Sequence, residues 1–442
     1  MAKNGSIYWN PIMETMPREK LRELQVKKFK RVFEWAYKNS PFYKKLYKDA
    51  GMEPGDIKTL EDIKKVPKTD KGMLREVQNR PPFPYGDMLA VPLQDVTEFR
   101  QTSGTTGTPV YQADTWQDWE WWAESWAYIL YAQGYRDTDR MFLPFGYNIF
   151  VAFWACHYAA EKLGCEVVPG GVLDTEARIM KMQELKCTAF GATPTYVLGM
   201  ADTARKIGID PRSIGIQRIT CAGEPGASIP TTKQRIEEAW GAKVYDHIGA
   251  TEIGAWSYMC TAQKGLHINE AFFLVEIEDT ETGEIIEEPM KNGKMIITAF
   301  DRQAKPCIRF DSKDVIRWAD YECECGRTFR IIDGGVVGRA DDITKVKGVL
   351  LAPTAIEEVV RSFNELSDEY EVIVTKKGDI DDIMLKIEIK PGFEKQEADI
   401  LNRLKDQLRV KTNLGYKIEI HPYESLPRYA LKAKRFKDLR PH

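Results

Sequence analysis

No stretch of this 442-residue chain stays apolar long enough to span a bilayer. The strongest candidate, Ile149 to Ala160, is short and contains His157, and it reads as a buried helix. The opening residues, Met1 to Ser6, hold no apolar block, so no secretory signal is expected. Charge of one sign is missing too: a net charge of −3 gives no reason to expect nucleic acid or an anionic membrane as partner. There is no fixed-period repeat and no low-complexity segment. The 8 cysteines are scattered, which excludes a disulfide framework and fits a reducing, cytoplasmic compartment. What remains, 43% hydrophobic and 29% charged residues, suffices for two or three domains with substantial cores.

One more absence sharpens the reading. Gln101-Thr102-Ser103-Gly104-Thr105-Thr106-Gly107-Thr108-Pro109 alternates small hydroxyls with glycines, yet no Gly-Lys-Ser/Thr follows, so it is not a Walker loop. Backbone without Cβ atoms can close around an anion and aim N–H groups and hydroxyls at phosphate oxygens. An ordinary solvent-facing turn has the same composition. Long-range company decides between them.

Residues 17–50 read as amphipathic helix, with Leu21, Leu24, Phe29, Val32, Phe33 and Ala36 at near-helical spacing and Pro41 as an interruption. Thr59-Leu60-Glu61-Asp62 has the look of a capped helix start. Trp119, Trp122 and Trp126 share one helical face, with Trp121 off it, and read as packing. Between Arg140 and Glu252, short apolar runs ending in Gly or Pro alternate with helical patterns, predicting βα units around a mostly parallel sheet. Ligands sit at the C-terminal strand ends of such sheets. That singles out the loops at Phe145-Gly146-Tyr147, Ala192-Thr193-Pro194, Gly223-Glu224-Pro225-Gly226 and Gly249-Ala250-Thr251-Glu252. After residue 265 the pattern turns to alternation, with strands at Phe273–Glu278 and Lys294–Thr298, predicting an antiparallel β subdomain. From Gly338 a compact α+β unit follows, with strands near 371–375 and 383–389 and a helix near 394–409. The expected fold is α/β: a large N-terminal domain, 1–338, and a small mobile α+β C-terminal domain, 339–442.

Six stretches now stand in fixed order: Thr102–Gly107, Gly223-Glu224-Pro225, Gly249-Ala250-Thr251-Glu252, Arg309–Asp314, Gly338-Arg339-Ala340-Asp341-Asp342, and Pro427-Arg428 through Lys432. This order resembles the adenylate-forming acyl-CoA synthetase superfamily. Asn39-Ser40-Pro41-Phe42-Tyr43, Phe145-Gly146-Tyr147-Asn148-Ile149-Phe150 and His157 through Gly164 make it most similar to the phenylacetate–CoA ligase family, over essentially the whole chain. The resemblance implies an ATP-dependent, AMP-forming ligase that adenylates an aromatic or arylacetic acid and passes the acyl group to CoA.

By that resemblance, Ser103, Gly104, Thr105, Thr106 and Gly107 hold the triphosphate, Thr251 contacts phosphate and Glu252 ligates Mg²⁺, a hard cation suited to carboxylate oxygen. Gly223, Glu224, Pro225 and Asp246 line the adenine pocket, while Asp314 and Arg339 take the ribose. Lys432 reaches the α-phosphate and carboxylate during adenylation. Phe145, Tyr147 and Phe150 form the acid pocket, with core packing as the plain alternative. After a swing about Asp341 and Asp342, Lys345, Lys347 and Gly348 line the CoA tunnel. Four positions depart from the family pattern: Thr108 for lysine, Ile248 for an aromatic, Asp311 for arginine and Leu431 for glycine. The family also implies a homodimer.

Cys260, His267, Cys323 and Cys325 form a Cys₃His set of the closed structural zinc type. Reduced thiols beside an ordinary histidine are the plain alternative; the family, some of whose members carry such a site, favours zinc. All four fall in the segment assigned to the antiparallel subdomain. Two other functions compete. One keeps adenylation but uses a cofactor such as a deazaflavin as acceptor, without CoA. The other makes the cysteine cluster a nucleic-acid module, against which stands the absence of a basic patch beyond Arg327 and Arg330.

Overall fold

The structure, a computed structural model, describes residues 5–102, 108–151, 154–340, 344–347, 349–377, 380–429 and 435–440. Ser103 to Gly107, Asp341, Asp342, Gly348 and Lys432 lie outside them.

The chain opens with helices α1 (Arg18–Asn39) and α2 (Pro41–Asp49). Ser40 separates them: its side chain accepts from the Tyr43 N–H while Pro41 starts the new helix. Leu21, Gln25, Phe29, Val32, Phe33 and Ala36 face inward from α1, the stripe its spacing predicts. Thr59 and Asp62 complete the capping box. A short helix, α3 (Lys71–Val77), follows, capped by the Asp70 carboxylate. Strands β1 (Glu98–Gln101) and β2 (Tyr111–Asp114) then pair as a hairpin that brackets the glycine-rich stretch. Helix α4 (Trp116–Ala132) is buried almost all round. All of Trp119, Trp121, Trp122 and Trp126 lie inside, so Trp121, off the predicted face, packs as well, against Phe272 and Phe273.

The βα alternation is present: β3 (Arg140–Leu143), α5 (Trp154–Leu163), β4 (Glu166–Pro169), α6 (Thr175–Glu184), β5 (Ala189–Ala192), α7 (Pro194–Lys206), β6 (Arg218–Cys221), α8 (Pro230–Trp240) and β7 (Lys243–Ala250). Helix α5 begins later than the apolar run suggested, and Ile149 is exposed. Strands β4, β3, β5, β6 and β7 run parallel in that order. The sheet continues antiparallel through β8 (Gly254–Tyr258), β9 (Leu266–Ile268) and a later strand, Ile331–Ile332, to make eight strands.

A second sheet holds β10 (Phe273–Glu278), β11 (Gly293–Ala299) and β12 (Phe310–Ile316), antiparallel as predicted. Alternation in β10 does not mean one wet face, because all six residues are buried. Its acidic positions are matched instead: Glu276 pairs with Arg309 at 2.9 Å and Glu278 with Lys294 at 3.1 Å. Strand β12 also pairs, on its other side, with two distant segments. Thr69 and Asp70, just ahead of α3, run parallel to Phe310 and Asp311, and Gly338–Arg339 pairs antiparallel with Asp314 and Val315.

The last unit has its own core, which includes Val360, Val372, Leu385, Ile400 and Leu404. Helices Pro353–Arg361 and Glu397–Thr412 pack against a four-stranded sheet of Leu366–Lys377, Ile380–Ile389, Lys417–His421 and Phe436–Asp438.

Candidate active site and metal cluster

The C-terminal ends of β5, β6 and β7 bring three of the singled-out loops together. Thr193 caps α7 behind β5, and the Glu224 carboxylate behind β6 accepts from the Thr195 N–H at 2.8 Å. Asp246 on β7 is buried, takes a hydrogen bond from the Ser228 hydroxyl and accepts the His247 N–H at 2.9 Å. Burial pushes its carboxyl up to about 7, against the pull of those donors. Burial likewise holds the neighbouring His247 neutral, down to about 3, with Nδ1 3.0 Å from the Ser257 carbonyl. Gly335 completes the corner: its φ is +73°, and a Cβ there would meet the Ser228 hydroxyl at 2.8 Å. That contact sets the segment leading to Gly338–Arg339 against Ser228, and further along it Arg339 lies beside Asp314 at 3.9 Å.

Thr251 and Glu252 follow β7 directly. Their backbone carbonyls are held by the Gln112 amide, at 3.3 and 3.2 Å, and by the Arg302 guanidinium, at 3.3 and 2.8 Å. Arg302 is itself fully buried against Asp114 at 2.9 Å. The turn is tight because Gly254, at φ +134°, lies where a Cβ would strike the Trp121 and Phe273 rings at 2.7 and 2.8 Å. Glu252 is only 6% exposed, and its carboxylate pairs with Lys71 at 2.8 Å.

Lys71 was not legible as a site residue. Its helix is short, and the polar face Lys71, Arg75, Gln78 reads as a solvated stripe; the one local signal is the Asp70 cap. Asp311, a charge reversal against the family pattern, has a structural account: it bridges Lys294 at 3.0 Å and Lys313 at 2.8 Å. Ile248 is partly buried against the main core.

Phe145 and Tyr147 lie half-buried behind β3, their rings 5.3 Å apart. Tyr147 packs edge-on to Trp154 at 4.7 Å and its hydroxyl meets His157 Nδ1 at 2.8 Å. Phe150, also half-buried, ends the same loop. This aromatic wall adjoins the glycine-loop hairpin, since the Gln101 N–H donates to the Ile149 carbonyl at 3.1 Å.

The C-terminal unit meets the same strand ends. Arg435, just past the segment holding Lys432, bridges Thr195 Oγ1 at 3.2 Å and Glu369 at 2.8 Å. Arg361 reaches Thr232 at 3.1 Å and Glu357 at 2.8 Å, and Arg235 pairs with Asp368 at 2.9 Å. Lys347 sits apart and exposed, its N–H on Asp381 at 2.9 Å.

The four predicted zinc ligands converge, with their donor atoms all within 4.8 Å of one another. Cys260 and Cys323 sulfurs are 3.6 Å apart, and Cys325 sulfur is 3.4 Å from His267 Nε2. A tetrahedron with Zn–S bonds of about 2.3 Å has S···S edges near 3.8 Å, so the spacing suits that ion. His267 Nδ1 faces the Phe329 carbonyl at 3.3 Å, leaving Nε2 turned to the cluster. Hydrogen bonds from the Cys260 and Cys323 thiols hold Cys325 well below the usual thiol range. The location differs from expectation: β8, β9 and Ile331–Ile332 extend the main sheet, so the cluster lies at that sheet's antiparallel end rather than in the second sheet.

The family described as AMP-binding enzyme C-terminal domain matches residues 348–440. The phenylacetate-coenzyme A ligase of Thermus thermophilus is 32% identical over 98% of this chain and 99% of its own length. The Escherichia coli enzyme of the same name is 28% identical over 97% of each. Among solved structures, 2-hydroxyisobutyryl-CoA ligase in the postadenylation state, in complex with 2-HIB-AMP, superposes with a TM-score of 0.94 at 27% identity, covering 99% of this chain and 94% of that one. The same ligase with 2-HIB-AMP and CoA in the thioesterification state gives 0.75 at 28% identity, covering 100% and 94%. The architecture is that of the adenylate-forming acyl-CoA ligases. The chain belongs to the phenylacetate–CoA ligase family, and is an AMP-forming acid–CoA ligase.

Proposed function

We propose that the substrate is an aromatic or arylacetic acid, adenylated by ATP and then transferred to CoA. The observation that carries this reading is the junction at the strand ends. An aromatic loop, Phe145 to Phe150, abuts the hairpin of the glycine-rich stretch. Glu224 and Asp246 lie at strand ends of the main sheet, and Gly335, on the way to Arg339 and its partner Asp314 in the second sheet, packs against Ser228 beside them. Phe145, Tyr147 and Phe150 would take the ring; Gly223, Glu224, Pro225 and Asp246 the adenine; Asp314 and Arg339 the ribose; Thr251 and Ser103 to Gly107 the phosphates. Attack of the acid on the α-phosphorus brings an anion to an anion, so fixed donors and cations matter more than any covalent help from the protein. Lys432 is the mobile cation proposed for that step.

Glu252 is the residue proposed to hold Mg²⁺. A buried carboxylate balanced by a lysine, rather than by fixed guanidinium bonds, can exchange that partner for a metal. Held there, the metal would supply positive charge against the triphosphate. Cys260, His267, Cys323 and Cys325 are proposed to hold a structural Zn²⁺, since four donors leave no open position.

For the second step, we propose residues 1–338 and 339–442 as the two moving bodies. The higher likeness to the postadenylation arrangement supports reading this conformation as the one before CoA enters. Opening the Arg435 and Arg361 contacts would let Lys345, Lys347 and Gly348 reach the cleft for pantetheine. Free thiols throughout support a cytoplasmic setting. A homodimer, carried over from the family resemblance, is checked by sedimentation.

The test is a pyrophosphate-release screen across aryl, arylacetic and short hydroxy acids, with and without CoA. An aryl acid that turns over to its CoA thioester is expected. Preference for a short hydroxy acid would replace the aryl assignment, and acid-independent turnover with a deazaflavin would replace CoA.

A further inference from the structure

Thr108 stands where the family carries a lysine, so the glycine loop brings no cation of its own to the triphosphate. Helix α3 lies against the exit of that loop with one face, the i, i+4, i+7 stripe. Arg75 Nε donates to the Thr108 carbonyl at 2.9 Å. The Gln78 side chain donates to the Pro109 carbonyl at 2.8 Å and accepts the Tyr111 N–H at 3.1 Å. Lys71, first on the stripe, reaches the Glu252 carboxylate at 2.8 Å. Thus the helix that fixes the loop also delivers an ammonium to the carboxylate assigned to the metal.

A second lysine stands nearby. Lys305 is 1% exposed and donates to the Tyr111 carbonyl at 2.6 Å, and it lines one small internal cavity together with Glu252, Gln112 and Thr69. Lys305 is fixed in the interior, whereas the Lys71 side chain keeps 35% of its surface in solvent on a flexible four-carbon stem. Of the two, Lys71 is the one free to change partners. A nearly buried carboxylate left unpaired is costly, so Glu252 needs a cation at all times, and Lys71 is the one that can leave when another arrives.

We propose that Lys71 supplies the phosphate-binding cation that Thr108 does not. In the nucleotide-free chain it neutralises Glu252; when magnesium–ATP binds, Glu252 turns to the metal and Lys71 to the terminal phosphate oxygens. Each charge keeps a partner throughout, and no cation has to be brought in by the loop. This rests on the reading of Glu252 as the magnesium carboxylate.

Calorimetric titration with magnesium–ATP and, separately, with AMP tests it without any acid substrate. Lys71→Ala is expected to weaken ATP by about tenfold to a hundredfold, the size of one contact to a charged group, and to leave AMP unchanged, since AMP has no terminal phosphates. Adding Thr108→Lys to that variant should return most of the ATP affinity. A loss shared equally by ATP and AMP would mean a merely structural role and overturn the proposal, as would unchanged ATP affinity or a Thr108→Lys that restores nothing. Absence of ATP binding by the unaltered chain would remove the reading of the site along with it; ATP binding indifferent to Lys71 removes the Lys71 role alone.

Discussion

Asp246 and His247 are neighbours in sequence, both buried, and burial moves them in opposite directions. Each is pushed toward its uncharged form because the interior disfavours charge. For Asp246 the folded value is about 7 against an ordinary 3.8. Between those values the folded chain holds a proton that the unfolded chain has released, so this contribution to stability is full below the lower value and is lost as pH rises through the upper one. His247 works in reverse, gaining as pH rises toward its ordinary 6.5. Asp246→Asn therefore isolates the first effect: relative to the unaltered chain, it should gain about 2 kcal/mol between pH 5 and pH 8. Urea midpoints at the two pH values check this, and parallel curves for both proteins would contradict it.

At the scale of elements, the cysteine–histidine cluster sits at the antiparallel end of the main sheet. His267 lies opposite Tyr258 on one side and Ile331 on the other, and Cys323 and Cys325 come from the loop ahead of that outer strand. Short strands of two and three residues offer few ladder hydrogen bonds, so a closed ion would hold what they cannot. Chain purified from zinc-supplemented cells should carry one equivalent of zinc by emission spectroscopy. Chelation should lower its melting temperature by roughly 5 °C or more. Cys323→Ser should melt at the lower temperature already and ignore the chelator; metal-free chain with an unaltered melting point would exclude the site. The cluster was readable from Cys-Glu-Cys-Gly, a knuckle that ordinary packing seldom needs. Its place in the main sheet was not, because the strand register there pairs His267 with Ile331, far along the chain, and no local spacing encodes it.

Across the whole molecule, parallel strands were the most legible part, since β3, β5 and β6 are short, largely apolar runs closed by Gly, Pro or a cap. Strand β10 was legible as a strand but not in its burial, because Glu276 and Glu278 are matched by cations from elsewhere in the chain. The contact between the two units was invisible, because its partners lie far apart in sequence: Arg435 meets Thr195, Arg361 meets Thr232 and Arg235 meets Asp368. That interface predicts a division of labour. Lys432→Ala should slow acyl-adenylate formation by more than about a hundredfold, and Arg435→Ala by about tenfold, while both retain thioesterification of supplied acyl-adenylate. Rapid-quench measurement of the separate half-reactions decides it; equal losses in both would count against a docked unit that serves only the first.

The parallel pairing of Thr69 and Asp70 with Phe310 and Asp311 also sets an order of events. During synthesis, the stretch that seats Lys71 leaves the ribosome long before its partner strand has been made. The nascent chain can complete its early helices, but the segment just ahead of Lys71 stays without its strand partner until translation is well past the midpoint.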